Sequence, residues 1–229
     1  MSGAAAGLPH AGAPMLRSEP PAGGVALGLV LLHGRGGTAA DILGLARLAG
    51  REDVVAVAPQ ADANSWWPVS FLAPMNLLQP WLDGALAAVD RAVASLRAEG
   101  LGPENIAVAG FSQGGCLAVE WAARRGGPLR AVAALSAGLV GTADLPDGCP
   151  DPTLYGHSPK LMAQTGRLDG IPVWLGCHAE DPHIPAARVR DSADRLASLG
   201  ADVEVRLHPG AGHSITRADA EAVRRLLQD

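Results

Sequence analysis

Short apolar runs alternate along the chain with longer segments of helical spacing. This alternation is typical of strands joined by crossover helices. The runs are apolar enough for strands that are covered on both faces. Six strands are predicted, at residues 26–32, 54–58, 106–109, 131–135, 173–176 and 203–207. The pattern therefore predicts an α/β fold with a mainly parallel, doubly wound sheet and helices on both faces.

Five further segments carry apolar residues three and four positions apart, which predicts helices with one buried face. They cover residues 39–49, a stretch that ends near Gly100, and residues 113–124, 186–199 and 218–227. In the second of them Pro80 fits the first turn, because the N–H that proline lacks has no partner there. Leu82, Leu86 and Val89 then follow at helical spacing.

Two stretches have no clear period. Residues 1–24 are rich in Ala, Gly and Pro, and we expect a flexible N-terminal arm ahead of a single domain over residues 25–229. Residues 137–170 combine Gly, Pro and Asp over a length that compact domains seldom leave structureless. Such a stretch beside a site often serves as a cap, so we predict a cap segment there.

Composition and net charge argue against several classes of function. The chain has 229 residues and a net charge of −5, which argues against general binding to nucleic acid or to anionic membranes. No apolar stretch approaches the roughly 20 residues of a membrane-spanning helix. The N-terminus lacks a basic start followed by an apolar run and does not read as a signal peptide, so we expect a cytoplasmic protein.

The cysteines and histidines do not predict a disulfide framework or a metal site. Cys116, Cys149 and Cys177 cannot all pair within one chain, and their spacing matches no zinc motif. Reduced thiols are therefore expected. His178 and His183 share a loop, but without a cluster of carboxylates or cysteines around them no metal is predicted.

A G-x-S-x-G motif stands between the strand at 106–109 and the helix at 113–124. It reads Gly110-Phe111-Ser112-Gln113-Gly114. A sharp strand-to-helix turn strains the serine backbone and holds its hydroxyl clear of the sheet, so small residues are needed on both sides. Ser112 is therefore the candidate nucleophile. Ser136 also follows a strand, but no helical pattern comes after it, and we expect a structural role there.

A serine hydroxyl needs a base that takes its proton and a carboxylate that orients the base. On a sheet of this kind the order along the chain is serine, acid, histidine. His213 follows the last predicted strand in a glycine-rich loop, from which a side chain can reach across to Ser112. His213 is therefore the candidate base.

The candidate acid follows the strand at 173–176. Glu180 and Asp181 both lie in that loop, and we favour Asp181 because the next residue, Pro182, stiffens the chain. Asp169 lies before the strand, at the wrong end of the sheet for a site built at strand C-termini.

Backbone N–H groups are also needed to bind the negative charge that develops on the carbonyl oxygen. The loop after the first strand is rich in glycine from Gly34 to Gly37, which lets the backbone approach a substrate closely. The N–H groups of Arg35 and of Gln113, the residue after Ser112, are the two candidate donors. His33, directly after the strand, is expected to brace this loop.

These motifs resemble the carboxylesterase/phospholipase family of α/β-hydrolases, which contains the acyl-protein thioesterases. The matching pieces are residues 32–34, 110–115, 181–185 and 212–213. The resemblance covers nearly all of the chain except the N-terminal arm. It implies the α/β-hydrolase fold, with Ser112 as nucleophile, Asp181 as acid and His213 as base. It also implies hydrolysis of carboxylic esters, with short to medium acyl chains, and without metal or organic cofactor. Since some relatives are dimers, a homodimer is among the expectations.

One position departs from the family's pattern. Acyl-protein thioesterases typically carry an aspartate after H-G-x-G, whereas this chain has Gly37. The resemblance therefore favours a bacterial type of small-ester hydrolase over an enzyme that removes lipid from proteins.

Four of the eight aromatic residues fall in loops expected to surround Ser112. They are Trp66, Trp67, Phe71 and Phe111. The segment 64–71 also looks like a tryptophan-rich loop of the same bacterial relatives. Flat apolar side chains beside the oxyanion loop would form a wall for an acyl or alcohol group. The alternative is that they pack between loops and helices.

Three alternative functions remain at this point. The first is an acyl thioesterase or lysophospholipase of the same family. The second is a dienelactone-hydrolase-like enzyme with a cysteine nucleophile, although Cys116 stands one helical turn beyond Ser112. The third is a ligand-binding protein that kept the hydrolase fold without catalysis.

Overall fold

A computed structural model describes residues 7–141 and 164–228. Seven strands form one sheet: β1 (Met15–Arg17), β2 (Leu27–Leu32), β3 (Val54–Pro59), β4 (Ile106–Phe111), β5 (Ala131–Leu135), β6 (Pro172–Glu180) and β7 (Asp202–Ala211). Their order across the sheet is β1-β3-β2-β4-β5-β6-β7. All neighbouring pairs are parallel except β1 and β3. The prediction of a mainly parallel α/β sheet is confirmed, and the six predicted strands are β2 to β7.

In the part of the chain that the structure describes, five α-helices cover the two faces of the sheet. They are α1 (Ala39–Leu43), α2 (Met75–Ala98), α3 (Gln113–Arg125), α4 (Ala186–Ser198) and α5 (Arg217–Gln228). One apolar core lies between the sheet and α2, α3 and α4, and a second lies between the sheet and α1 and α5. Alternate residues of each central strand enter opposite cores, as the period of two along a strand requires. None of the helices in the described ranges has the length and apolarity needed to cross a bilayer.

Two of the observed helical segments differ from the predicted helices in their bounds. Residues 39–49 form α1 followed by a 3₁₀ helix, Gly44–Ala49, instead of one continuous helix. Helix α2 begins at Met75, so Pro80 stands inside the helix and not in its first turn. The buried position of Leu78 accounts for this earlier start, because that side chain extends the apolar face of α2 by one turn.

Much of residues 7–24 is attached to the domain, in contrast to the flexible arm that the sequence predicts. β1 pairs with β3 at the edge of the sheet, and the His10 side chain is fully buried. His10 Nδ1 accepts a hydrogen bond from the Asp62 N–H at 2.9 Å, and Nε2 donates to the Trp66 carbonyl at 3.0 Å. Composition alone missed this attachment because it depends on a short edge strand and one buried histidine, and neither gives a periodic apolar pattern. Residues 1–6 lie outside the described residues.

The predicted cap segment falls mostly on residues 142–163, which lie outside the described residues. Its two ends pack on the domain. Arg188 of α4 donates to the carbonyls of Leu139 and Gly141 at 2.9 and 2.6 Å, and Gln164 donates to the buried carboxylate of Glu120 at 3.0 Å. The cap role itself stays a prediction.

Candidate active site

The carboxyl ends of four strands bring the predicted site residues to one edge of the sheet. Ser112 follows β4, Asp181 follows β6 and His213 follows β7, while the loop that contains Arg35 follows β2. Since β2, β4, β6 and β7 are parallel members of one sheet, their C-terminal ends lie on the same side. The strand order of the sheet therefore assembles residues that are far apart in the sequence.

Ser112 occupies a strained turn. Its backbone has φ 53° and ψ −122°, a conformation that costs a non-glycine residue about 1–3 kcal/mol. A Cβ atom added to Gly110 would lie 2.4 Å from the carbonyl carbon and oxygen of Gly114, and one added to Gly114 would lie 2.1 Å from the carbonyl oxygen of Leu32. Gly110 thus lets the turn close on itself, and Gly114 lets it press against the end of β2.

Three polar side chains form a continuous hydrogen-bonded chain. Ser112 Oγ lies 2.8 Å from His213 Nε2, and His213 Nδ1 lies 2.8 Å from Asp181 Oδ2. If Nδ1 carries the proton that it shares with the carboxylate, Nε2 is free to accept from the serine hydroxyl. The His213 ring packs between Phe111 and His183, with ring centroids 5.0 and 4.8 Å away. This packing restricts rotation of the imidazole away from the other two groups.

The Asp181 carboxylate is buried, and both of its oxygens take part in hydrogen bonds. Oδ1 accepts hydrogen bonds from the backbone N–H groups of His183 and Ile184 at 2.8 and 3.0 Å. Burial alone would raise the pKa of Asp181, but the hydrogen bonds from His213 and from the two N–H groups outweigh burial and hold the pKa below its usual value. Asp181 therefore stays ionised and keeps a negative charge beside His213.

Cys177, which the sequence analysis assigned no role, also contacts this carboxylate. Its Sγ atom lies 3.6 Å from Asp181 Oδ2. The signal that could have found it is its position: Cys177 lies on β6, four residues before Asp181, in a strand whose register with β7 shifts between His178 and Glu180. A bulge of this kind changes the direction of the side chains that follow.

The other sequence candidates are not joined to His213. Glu180 is exposed at the end of β6, and Asp169 pairs with Arg167 at the opposite end of that strand. Ser136 has a φ of 48° and is buried, with no hydrogen-bond partner for its Oγ among the described residues. This agrees with the structural role expected for Ser136.

The two predicted oxyanion donors flank Ser112. Gln113 is the first residue of α3, and a Cβ atom added to Gly34, the neighbour of Arg35, would lie 3.3 Å from Ser112 Cβ. Within the described ranges neither the Arg35 nor the Gln113 N–H has a hydrogen-bond acceptor. Both N–H groups are therefore free to bind a substrate oxygen.

His33 braces the oxyanion loop, as the sequence predicted. It is buried, and its Nε2 accepts a hydrogen bond from the Ala61 N–H at 3.1 Å while Nδ1 donates to the Gly34 carbonyl at 2.8 Å. Burial lowers the pKa of His33. A neutral imidazole is what this pattern of one acceptor and one donor requires.

A cavity of about 520 Å³ opens beside Ser112 and His213. Three of the four predicted aromatic residues line it: Trp67, Phe71 and Phe111. The prediction for Trp66 was wrong, because its ring packs between the rings of His10 and His33, with centroids 5.4 and 5.2 Å away. Trp66 Nε1 donates to the His33 carbonyl at 2.9 Å, so Trp66 supports the oxyanion loop from behind.

The side chain of Gln113 ties this aromatic loop to the start of α3. Its Oε1 accepts from the Trp66 N–H, and its Nε2 donates to the Trp67 carbonyl, each at 2.9 Å. One residue thus supplies a candidate oxyanion donor from its backbone and positions the cavity wall with its side chain.

The described cysteines are free and buried. Burial raises the pKa of Cys116 to about 12, and burial together with the charge of Asp181 raises the pKa of Cys177. We therefore expect iodoacetamide at pH 8 to modify neither residue in the folded protein, because only the thiolate reacts. Peptide mass spectrometry after native and denatured labelling tests this prediction. Labelling of native Cys116 at the rate seen in denaturant would contradict it.

No group of three or more His, Cys, Asp or Glu side chains suited to a metal ion occurs within residues 7–141 and 164–228. His178 and His208 have ring centroids 5.5 Å apart. His208, however, is hydrogen-bonded through Nε2 to Asp219 Oδ1 at 3.0 Å. Asp219 also accepts from Trp174 Nε1 at 3.0 Å. This buried pair connects β6, β7 and α5 behind the loop that contains His213.

Residues 19–229 match the family model described as phospholipase/carboxylesterase. Among solved structures, the chain is similar to a phospholipase/carboxylesterase from Dyadobacter fermentans, with 34% sequence identity, 95% of this chain and 97% of that chain covered, and a TM-score of 0.80. It is also similar to esterase PE8, with 27% identity, 94% and 97% of the two chains covered, and a TM-score of 0.69.

A curated relative gives a shorter match. Acyl-protein thioesterase 1 of Gibberella zeae is 29% identical over 129 residues. This alignment covers 56% of the present chain and 49% of the thioesterase, so the chain spans about half the length of that relative.

Proposed function

Because the chain belongs to the phospholipase/carboxylesterase family of hydrolases, we propose that it cleaves carboxylic esters through Ser112, His213 and Asp181. The observation that carries this proposal is the unbroken chain of hydrogen bonds from Ser112 Oγ through the His213 ring to Asp181. A strained serine next to a base, with a carboxylate behind the base, is the arrangement that acyl transfer through a covalent intermediate requires.

In the first step His213 Nε2 takes the hydroxyl proton while Ser112 Oγ forms a bond to the ester carbonyl carbon. The carbonyl oxygen becomes an oxyanion, which the N–H groups of Arg35 and Gln113 bind. His213 then gives the proton to the leaving alkoxide oxygen, and the alcohol departs as the acyl-enzyme forms. Asp181 stabilises the imidazolium between these two transfers.

In the second step water replaces the alcohol. His213 takes a proton from the water molecule as its oxygen attacks the acyl carbon, and then returns a proton to Ser112 Oγ. The carboxylic acid is released and the serine hydroxyl is restored. Apart from the ester and one water molecule, the proposed steps use only groups of this chain.

The cavity supports substrates with short to medium acyl chains. Trp67, Phe71 and Phe111 give it apolar walls, and its volume of about 520 Å³ lies in the usual range of small-molecule pockets, with room for an acyl chain of several carbon atoms together with the alcohol. The similarity to acyl-protein thioesterase 1 of Gibberella zeae makes thioester hydrolysis the second candidate. A series of p-nitrophenyl esters from two to sixteen acyl carbons, with a parallel thioester series, tests both. We expect the highest kcat/KM on oxygen esters of two to eight carbons.

The adjacent residues Trp66 and Trp67 offer a matched pair of variants. Trp67→Phe should change the ratio of kcat/KM between eight-carbon and two-carbon esters by about tenfold, because it reshapes the cavity wall. Trp66→Phe should keep the wild-type ratio and lower the free energy of unfolding by about 1–3 kcal/mol, because the buried His33 carbonyl loses its donor. Steady-state kinetics and denaturant unfolding of both variants measure these effects. Equal ratios in the two variants would contradict the assignment of Trp67.

The cytoplasmic location and the homodimer expected from the sequence stay predictions.

A further inference from the structure

Among the described residues, the lining of the cavity beside Ser112 includes a cationic side chain and no anionic one. Arg35 lines the cavity, and its lining as far as the structure describes it holds no Asp or Glu. Its remaining ionisable lining groups are His183, His213 and the Cys116 thiol. The charge of this lining is opposite in sign to the net charge of the chain, which is −5.

Within residues 7–141 and 164–228 the Arg35 guanidinium has no carboxylate partner. Its Nη1 donates to the Pro68 carbonyl at 3.4 Å and its Nη2 donates to the Val69 carbonyl, and both carbonyls belong to the cavity wall. A guanidinium has five N–H donors in a planar fork, so N–H groups remain after these two bonds. Partial burial lowers the pKa of Arg35, but arginine keeps its charge in proteins.

Arg188 provides a comparison, because its similar contact with two carbonyls is purely structural. Arg188 also donates to two carbonyls, those of Leu139 and Gly141, but it is only 8% exposed and lies in the interior. Arg35 is exposed and lines the cavity. The two carbonyls therefore hold the Arg35 guanidinium in position and leave part of it accessible to a ligand.

The same wall holds a second unused donor. The indole N–H of Trp67 is buried without a hydrogen-bond partner among the described residues, and Trp67 precedes Pro68 and Val69 in the loop. A buried donor without an acceptor costs about 1–3 kcal/mol. This unpartnered donor belongs to the same loop as the two carbonyls that hold the Arg35 guanidinium.

From these contacts we infer that the cavity selects esters that carry a carboxylate a few bonds from the scissile carbonyl, with Arg35 as the residue that binds it. This inference rests on the proposed esterase function. The backbone N–H of Arg35 is a candidate oxyanion donor, so its side chain begins beside the reacting carbonyl and reaches only a short distance along the substrate. A carboxylate matches the guanidinium fork with two parallel hydrogen bonds.

The test compares kcat/KM for matched anionic and neutral esters. On the acyl side, mono-p-nitrophenyl glutarate is compared with p-nitrophenyl pentanoate. On the alcohol side, 4-acetoxybenzoate is compared with its methyl ester. Wild-type protein should prefer the anionic ester about tenfold in one of the two pairs, after correction for spontaneous hydrolysis, and the pair that responds shows which part of the substrate carries the carboxylate.

Variants then assign the preference to Arg35. Arg35→Met should lower the anionic-to-neutral ratio about tenfold, and Arg35→Lys should lower it by a smaller factor, because lysine retains the charge but lacks the planar fork. Arg167→Met is the matched control. It removes the same charge from an exposed residue ahead of β6, at the opposite end of the sheet, and should leave the ratio at the wild-type value.

The outcomes separate this inference from the proposed function. A wild-type ratio near one in both pairs, or the same ratio in Arg35→Met and Arg167→Met, would overturn the inference while neutral esters are still hydrolysed. A reduced rate on anionic and neutral esters alike in Arg35→Met would assign the side chain only to holding the loop at Pro68 and Val69. Failure to hydrolyse any ester would overturn the proposed function, and the inference with it.

Discussion

Replacement of Ser112 by alanine should lower kcat/KM on p-nitrophenyl butyrate by on the order of 10⁴-fold or more. The reason is that the variant lacks the oxygen atom on which the acyl-enzyme forms. His213 Nε2 points to Ser112 Oγ at 2.8 Å, so without Oγ the base has only water to activate. His213→Ala should cause a loss of similar size, because residues that act as one unit are not additive in their effects.

The fold should survive the Ser112→Ala change. The positive φ of 53° persists in alanine, so the strain of the turn is unchanged, and unfolding in denaturant should give a midpoint near that of wild type. Ser136→Ala is the matched control: Ser136 also follows a strand with a positive φ of 48° and is buried. This control should retain full turnover. Retention of more than a tenth of wild-type kcat/KM in Ser112→Ala would contradict the assigned nucleophile.

Gly114→Ala should lower the free energy of unfolding by about 3 kcal/mol, the upper end of the usual cost of overpacking. The added methyl group would lie 2.1 Å from the carbonyl oxygen of Leu32 and 2.5 Å from that of His33. Both are backbone atoms at the end of β2, and they cannot move without disturbing the oxyanion loop. Activity should therefore fall together with stability.

Gly23→Ala is the control for Gly114→Ala. A Cβ atom at Gly23 meets nothing within 4 Å, and its φ lies outside the positive range that disfavours a side chain. The free energy of unfolding should change by less than about 0.5 kcal/mol. Denaturant titration of both variants by circular dichroism provides the comparison. Equal stabilities of the two variants would show that the turn has more room than the structure indicates.

The sequence predicted the sheet well because its central strands are buried on both faces. Such strands read as short apolar runs, and the observed β5 (Ala131–Leu135) has the predicted bounds. β1 was missed because it has three residues and is exposed along its length. Its position depends on pairing with β3 and on the burial of His10, and neither is visible in a local pattern of apolar residues.

The site residues were predictable because a parallel sheet places the C-terminal ends of its strands at one edge. Ser112, Asp181 and His213 each follow a strand, so topology alone brings them to one edge. The choice between Glu180 and Asp181 was harder, since the two are adjacent and the bulge at the end of β6 decides which one faces His213. A register shift of this kind depends on the pairing of β6 with β7, which the sequence of one loop does not contain.

The sequence alone did not distinguish the roles of the two tryptophans in the aromatic loop. Trp66 and Trp67 are adjacent and both fully buried, yet only Trp67 lines the cavity. The difference arises from His10 and His33, whose rings pack on Trp66 from two sides. His10 is 56 residues away in the chain, in the stretch that composition had assigned to a flexible arm.

The most direct test of the central claim is covalent labelling of the nucleophile. The full-length protein is treated with a fluorophosphonate, digested, and analysed by peptide mass spectrometry, alongside the Ser112→Ala variant. We predict one adduct per chain, on Ser112, in parallel with loss of esterase activity, and no adduct in Ser112→Ala. An adduct on Cys116, or full inactivation of wild type with Ser112 unmodified, would contradict the account.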